Sequence, residues 1–194
     1  MPGSEKKLKS EKWLSKEAEE ELLTIARKTL EEYFRVGKAP SFEVKNEVLK
    51  QKFGAFVTLR KGSRLRGCIG QVEADEPLYK VVSRMALASA FNDPRFNPLS
   101  ADELKEVTIE ISVLSPFQKV KKIEEIEVGR DGLLVCRGPW RGLLLPQVAV
   151  EYGWGREDFL RQTCLKAGLE PEAWKDEGCE IYRFSAQVFG EKER

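Results

Sequence analysis

The sequence predicts an α+β protein in which a mainly antiparallel sheet is flanked by helices. Three observations predict it: two-residue alternation marks several short strands, 3.6-residue periodicity marks three helices, and the two patterns mix without βαβ regularity or internal repeats. At 194 residues and 41% hydrophobic content, the chain suits one domain, or one domain with a smaller appended lobe. Residues 1–14 are read as a flexible N-terminus and residues 15–190 as the domain.

Ser15 is placed to cap a first helix whose opening turn carries Glu17, Glu19, Glu20 and Glu21, where negative charge suits the helix dipole. Leu22, Ala26, Leu30 and Tyr33 form its apolar stripe, and Gly37 and Pro40 stop it. A loop or short helix follows through Leu49. Ala55, Val57 and Leu59 alternate with Phe56, Thr58 and Arg60, and Lys61-Gly62-Ser63 turns the chain into Leu65 to Ile69, giving a β-hairpin. The run from Leu78 to Phe91 is helical in spacing and ends at Asn92-Asp93-Pro94, because the residue before proline avoids the helical region. Ser100 and Glu103 form a small capping box. Val107, Ile109, Ile111 and Val113 mark a half-buried strand that Pro116 closes. Short strands are expected between the turn signals at Gly129, Asp131-Gly132, Gly138-Pro139 and Gly142. A last helix runs from about Glu157 to Gly168, and Tyr182, Phe184, Ala186 and Val188 alternate along a final strand.

The chain has 33 basic and 32 acidic residues, so no overall field steers it toward nucleic acid or an anionic membrane. No apolar run reaches the roughly 18 residues of a membrane span, and the expected location is the cytoplasm. Cys68, Cys136, Cys164 and Cys179 are scattered without a C-x-x-C pair, so reduced thiols are expected, with neither metal nor cofactor. The chain has no histidine, which removes Ser-His and Cys-His catalysis.

The most informative segment is Leu65-Arg66-Gly67-Cys68-Ile69-Gly70. On a strand, Arg66 and Cys68 project to one face while Gly67 points to the other. A guanidinium beside a thiol favours the thiolate, and Gly67 and Gly70 admit a ligand or another backbone. Alternatively, Cys68 is a small buried residue and the glycines mark close packing, which is the outcome that the lack of histidine favours. Asp93-Pro94-Arg95-Phe96 presents a carboxylate and a guanidinium from a rigid loop, suited to an anionic or amide ligand or to pairing with each other. Gln147 sits near a sheet end, where its amide binds a ligand or satisfies local backbone. Arg60, Lys61, Arg64 and Arg66, with Phe56 nearby, offer phosphate contacts and a stacking platform. A four-charge hairpin tip is more simply a solvated face or edge guard, so nucleic acid is not an expected partner. Glu110, on a polar strand face, is a further candidate base without a visible partner. Trp13, Trp140, Trp154 and Trp174 are read as core or contact anchors.

The string at 65–70 resembles the signature of the AMMECR1 family. So do, in the same order, Asp93-Pro94-Arg95-Phe96, the strand Thr108 to Leu114, Gly132-Leu133-Leu134-Val135, Leu144-Leu145-Pro146-Gln147-Val148-Ala149, and the run from Phe159-Leu160 to Lys166-Ala167-Gly168-Leu169. The resemblance spans residues 15–189. Gln71 and Val72 depart from the Thr-Phe of vertebrate members. The resemblance implies a two-lobed fold, with a smaller lobe inserted from the middle of the chain, and no established reaction. It also implies a shared pathway or complex with a Memo-like protein and a radical S-adenosylmethionine (SAM) enzyme. The chain lacks that enzyme's C-x-x-x-C-x-x-C ligands. The expected function is a binding or accessory role for a small molecule, peptide or partner protein in a cleft near Leu65–Gly70. The rivals are a cysteine-dependent enzyme using Cys68 and, through the basic hairpin, a nucleic-acid binder.

Overall fold

A computed structural model describes residues 13–192 and divides the chain into two units. Of the described residues, the larger unit holds 13–114 and 187–192, and the smaller holds Ser115–Ala186. Residues 1–12 of the segment read as a flexible N-terminus lie outside the described residues. Its last two, Trp13 and Leu14, are anchored, since both amides donate to Gln187 Oε1 at 3.0 Å.

In the larger unit, helix α1 (Lys16–Val36) starts on Ser15, whose hydroxyl accepts from the Ala18 amide at 3.3 Å. It stops at Gly37, which takes the left-handed conformation at φ 74°. Leu22, Ala26 and Leu30 are fully buried, joined by Ala18 and Ile25, while Tyr33 packs against Phe91 at 4.9 Å between rings. Strands β1 (Ala55–Lys61) and β2 (Arg64–Gln71) form the expected antiparallel hairpin, with Thr58 opposite Cys68 and Phe56 opposite Gly70. Helix α2 (Leu78–Phe91) follows, then a 3-10 turn at Glu103–Lys105 and strand β3 (Val107–Leu114). The sheet order is β2-β1-β3-β8, with β8 spanning Ala186–Gly190, so β2 lies at an edge. Val57, Leu59, Ile109 and Ile111 bury one face in a common core with α1 and α2. Phe56, Thr58, Cys68 and Glu110 therefore belong to the opposite face.

The smaller unit has its own core around Leu133, Val135, Phe159 and Leu160. Strands β4 (Gln118–Lys119), β5 (Gly132–Arg137), β6 (Trp140–Leu144) and β7 (Glu180–Phe184) form an antiparallel sheet in the order β4-β7-β5-β6. Helices α3 (Pro146–Glu151) and α4 (Arg156–Lys166) complete it. Gly168, at φ 75°, follows α4 as expected.

Three features differ from the sequence reading. Pro146 opens helix α3 directly after β6, where the sequence reading placed no helix; a helix's first turn has no use for the missing N–H. The alternating run 182–188 is divided at Ser185 between β7 and β8, which lie in different sheets. The alternation also inverts: Gln187 is 2% exposed and Val188 is 47% exposed, because the Gln187 carboxamide is satisfied by Trp13, Leu14 and Glu19. Trp140, expected as an anchor, is 56% exposed, whereas Trp13 packs on Phe53 and Trp174 joins the smaller core.

Arg27 is a second polar anchor that the amphipathic pattern of α1 conceals. Buried among apolar neighbours, it donates to the carbonyls of Leu104 and Val107 at 3.0 and 2.9 Å and grips Glu191 with its Nε and Nη2. Close packing elsewhere is set at Gly67, where a Cβ would meet the Ser89 carbonyl oxygen of α2 at 2.1 Å. The neighbour is backbone, so relief requires moving the helix. Gly67→Ala is expected to destabilise the protein by at least about 2 kcal/mol, read as a lower denaturation midpoint in urea.

Candidate functional site

The site grows from the edge position of β2. An edge strand leaves alternate N–H and C=O groups without a strand partner. At Cys68 both groups are met by side chains: the N–H donates to Asp93 Oδ2 at 2.8 Å, and the carbonyl accepts from Arg95 Nη2 at 3.3 Å. Asp93 and Arg95 are themselves joined, with Nε to Oδ1 at 2.9 Å and Nη2 to Oδ2 at 2.8 Å. Asp93 also accepts the Arg95 amide at 3.1 Å, closing a short turn through Pro94. The pairing of Asp93 with Arg95 foreseen from the sequence is therefore present, and its target is the backbone of the cysteine.

Asp93 reaches this position because α2 ends directly before it, at Phe91 with Asn92 as cap. The same helix supplies Ser89, whose hydroxyl donates to the Val57 carbonyl at 2.6 Å and accepts the Ile69 amide at 2.9 Å. Both glycines of the motif are occupied by protein. Gly67 lies under the Ser89 carbonyl, and Gly70 lies under the Phe56 ring, which a Cβ would meet at 2.1 Å.

Arg66 faces outward on β2 beside Cys68, yet its charge is directed elsewhere. Its Nε and Nη2 each lie 2.9 Å from an oxygen of Glu103. Glu103 and Ser100 form the expected reciprocal capping box, at 3.1 and 3.3 Å. The Phe96 ring lies 6.0 Å from the Arg66 guanidinium and 5.5 Å from that of Arg95, a cation–π contact with each. Arg66 Nη1 is buried and has no acceptor among the described residues.

Cys68 itself is half-buried and belongs to neither apolar core. Its sulfur accepts the Thr58 hydroxyl at 3.2 Å. The guanidinium held against the Cys68 backbone is that of Arg95, a residue the sequence could not rank above Arg66. Ser89, Thr58 and Glu103 are the site residues that sequence reasoning passed over; the capping-box pattern was the one signal that touched Glu103. Gln147 belongs to the smaller unit, where it is half-buried in the first turn of α3.

The basic hairpin is largely neutralised. Arg60 pairs with Glu110 at 3.4 Å, Lys61 with Glu106 at 2.6 Å, and Arg66 with Glu103. Among the described residues no group of three or more His, Cys, Asp or Glu is arranged to hold a metal ion. Among the same residues no helix is long and apolar enough to cross a membrane.

The two carboxylates of the site are both held below their ordinary range. The Arg95 guanidinium, with the Cys68 and Arg95 amides, keeps Asp93 far down despite its burial. Arg66, helped by the Ser100 amide, brings Glu103 down to about 2. A carboxyl depressed in the folded state stabilises it fully above the unfolded value of about 4.5 and loses that contribution as pH falls through about 2. Glu103→Gln is expected to cost about 1–2 kcal/mol at pH 7 and to flatten the stability loss between these two pH values, as followed by urea unfolding across a pH series.

Comparison with known proteins places this geometry in a family. The AMMECR1 family model matches residues 23–189. Protein LS215_2104 of Saccharolobus islandicus is 47% identical over 181 residues, covering 88% of this chain and 80% of its own. Protein PF1979 of Pyrococcus furiosus is 43% identical over 183 residues, covering 88% and 87%. The crystal structure of the uncharacterized protein PH0010 from Pyrococcus horikoshii superposes with a TM-score of 0.80 at 41% identity, over 90% of this chain and 91% of that one. The matched span contains β2, the Asp93–Phe96 loop and the whole smaller unit, and on that evidence the chain belongs to the AMMECR1 family.

Proposed function

We propose that this chain is a binding or accessory protein. It presents Arg66 and Cys68 of β2 with Arg95 of the adjoining loop to a small molecule, a peptide or a partner protein; Gly67 and Gly70, expected to admit a ligand, are filled by Ser89 and Phe56 instead, and the buried Asp93 holds Arg95 in place. A Memo-like protein and a radical SAM enzyme would be the protein partners. The observation that carries this reading is that both carboxylates of the site are committed to other protein groups. Asp93 is bound by Arg95 and the Cys68 amide, and Glu103 by Arg66 and Ser100. A carboxylate so held is a weak proton acceptor, and the group touching the cysteine sulfur is a hydroxyl that donates. What the arrangement offers instead is rigidity: side chains locked by paired hydrogen bonds, and one buried Arg66 N–H still lacking an acceptor.

Mass-resolved iodoacetamide labelling of the native protein separates this reading from a cysteine enzyme. At pH 7, Cys68 is expected to react within about threefold of the rate of Cys136, with Arg95→Ala and Arg66→Ala leaving that ratio in place. Cys164, whose thiol burial pushes up to about 11, is expected to react only on unfolding. Selective alkylation of Cys68 that slows in either arginine variant would replace the binding role with a nucleophilic one. The partner assignment is checked by co-purification with the Memo-like and radical SAM proteins. Asp93→Asn is expected to weaken their capture at least about tenfold, and undiminished capture would remove the loop from the interface.

A further inference from the structure

The smaller unit contains a partly open cleft of ≈ 550 Å³. Its wall includes Gln118, Arg130, Asp131, Arg183, Phe184 and Ser185. Asp131, 4% exposed, is fully engaged: it takes Arg130 Nε and Nη2 at 2.8 and 2.7 Å and the Glu127 amide at 2.9 Å. Arg183 is not matched in this way. Its Nη1 donates to the Glu125 carbonyl at 3.1 Å and stays 3.7 Å from Asp131, its Nε is buried without a partner, and its Nη2 makes no hydrogen bond among the described residues.

The contrast with other arginines is specific. Arg27, Arg66, Arg95 and Arg130 each set the Nε–Nη2 edge of the guanidinium on a single carboxylate. That edge presents two parallel N–H groups at the spacing of two carboxylate oxygens. Arg183 keeps the same edge without one, in a cleft, and leaving a buried cationic N–H unpaired costs more than leaving a neutral one.

We propose that the cleft binds a small organic acid whose carboxylate seats on the Nε–Nη2 edge of Arg183. Nη2 meets the ligand first, and a modest swing of the guanidinium brings Nε onto the second oxygen. The Ser185 hydroxyl and Gln118 carboxamide serve the polar groups of the ligand. One negative charge fits better than two. Arg130 and Arg183 are already balanced by Glu127 and Asp131 along the wall, so a doubly charged phosphate monoester meets repulsion from Asp131 that a carboxylate feels half as strongly.

Hippurate is a suitable probe because it carries a carboxylate, an amide and a ring; hippuramide and phenyl phosphate are its neutral and dianionic comparators. Each is titrated into the full chain at pH 7 while the arginine Nε–H and backbone amide signals are followed by NMR. Hippurate is expected to shift Arg183 Nε–H and the Ser185 amide saturably, with a dissociation constant of about 1 mM or below. Arg183→Met is expected to weaken it by more than about tenfold, and hippuramide is expected not to saturate. Should Arg183→Met fail to fold, Arg183→Lys keeps the charge, loses the paired edge and is expected to show the same weakening. No saturable hippurate shift in the unaltered protein, or undiminished affinity in a folded Arg183 variant, overturns the site. Tighter binding of phenyl phosphate than of hippurate overturns its assignment to a carboxylate.

Discussion

The larger unit depends on one contact, the backbone of α2 resting on the backbone of β2 at Gly67. With no Cβ between them, the Ser89 carbonyl sits where any other residue's side chain would begin. That approach lets the Ser89 hydroxyl bridge the two hairpin strands at Val57 and Ile69, and it fixes where the helix ends. Asp93 then arrives at the level of Cys68, Arg95 closes over the strand carbonyl, and Phe96 is carried between two guanidiniums. Ser100 and Glu103 complete the sequence by holding Arg66. Each step follows because the one before it positions the next residue.

A second set of constraints joins the far ends of the described chain. Gln187 answers the amides of Trp13 and Leu14 and the carbonyl of Leu14. Glu191 binds Arg27 and also accepts the Ile109 amide at 3.0 Å, so α1, β3 and the segment after β8 share one buried polar node. Leaving a buried charge without hydrogen-bond partners is costly, and at Arg27 two backbone carbonyls and a carboxylate supply them.

Local features were legible in the sequence because they are written in neighbouring residues. Ser15 and Gly37 bound α1, the alternation around Gly62 gives the hairpin, and Ser100-x-x-Glu103 gives the capping box. The site was legible only in part. Its strand and loop could be named separately, but that Asp93 would serve the Cys68 amide depends on partners 25 residues apart. Ser89 looks like any small residue on a helix, and Arg27 sits one place from Ala26 on an apolar stripe without marking itself as buried. Gln187 inverts the alternation of its run because its carboxamide is answered by residues 173 and 174 positions away. Periodicity reports which face is apolar; it does not report which polar group will find a distant partner.

The Asp93–Arg95 fork has a consequence for how this protein behaves in a crowd. An uncovered edge strand is a template: another molecule's strand can add to it, and another after that. By occupying both backbone groups of Cys68, the ion pair makes this stretch of β2, between Gly67 and Gly70, unattractive to a second copy. The loop is therefore a guard against self-association as well as a wall of the site. A substitution that frees the Cys68 N–H or carbonyl opens that edge again to strand addition.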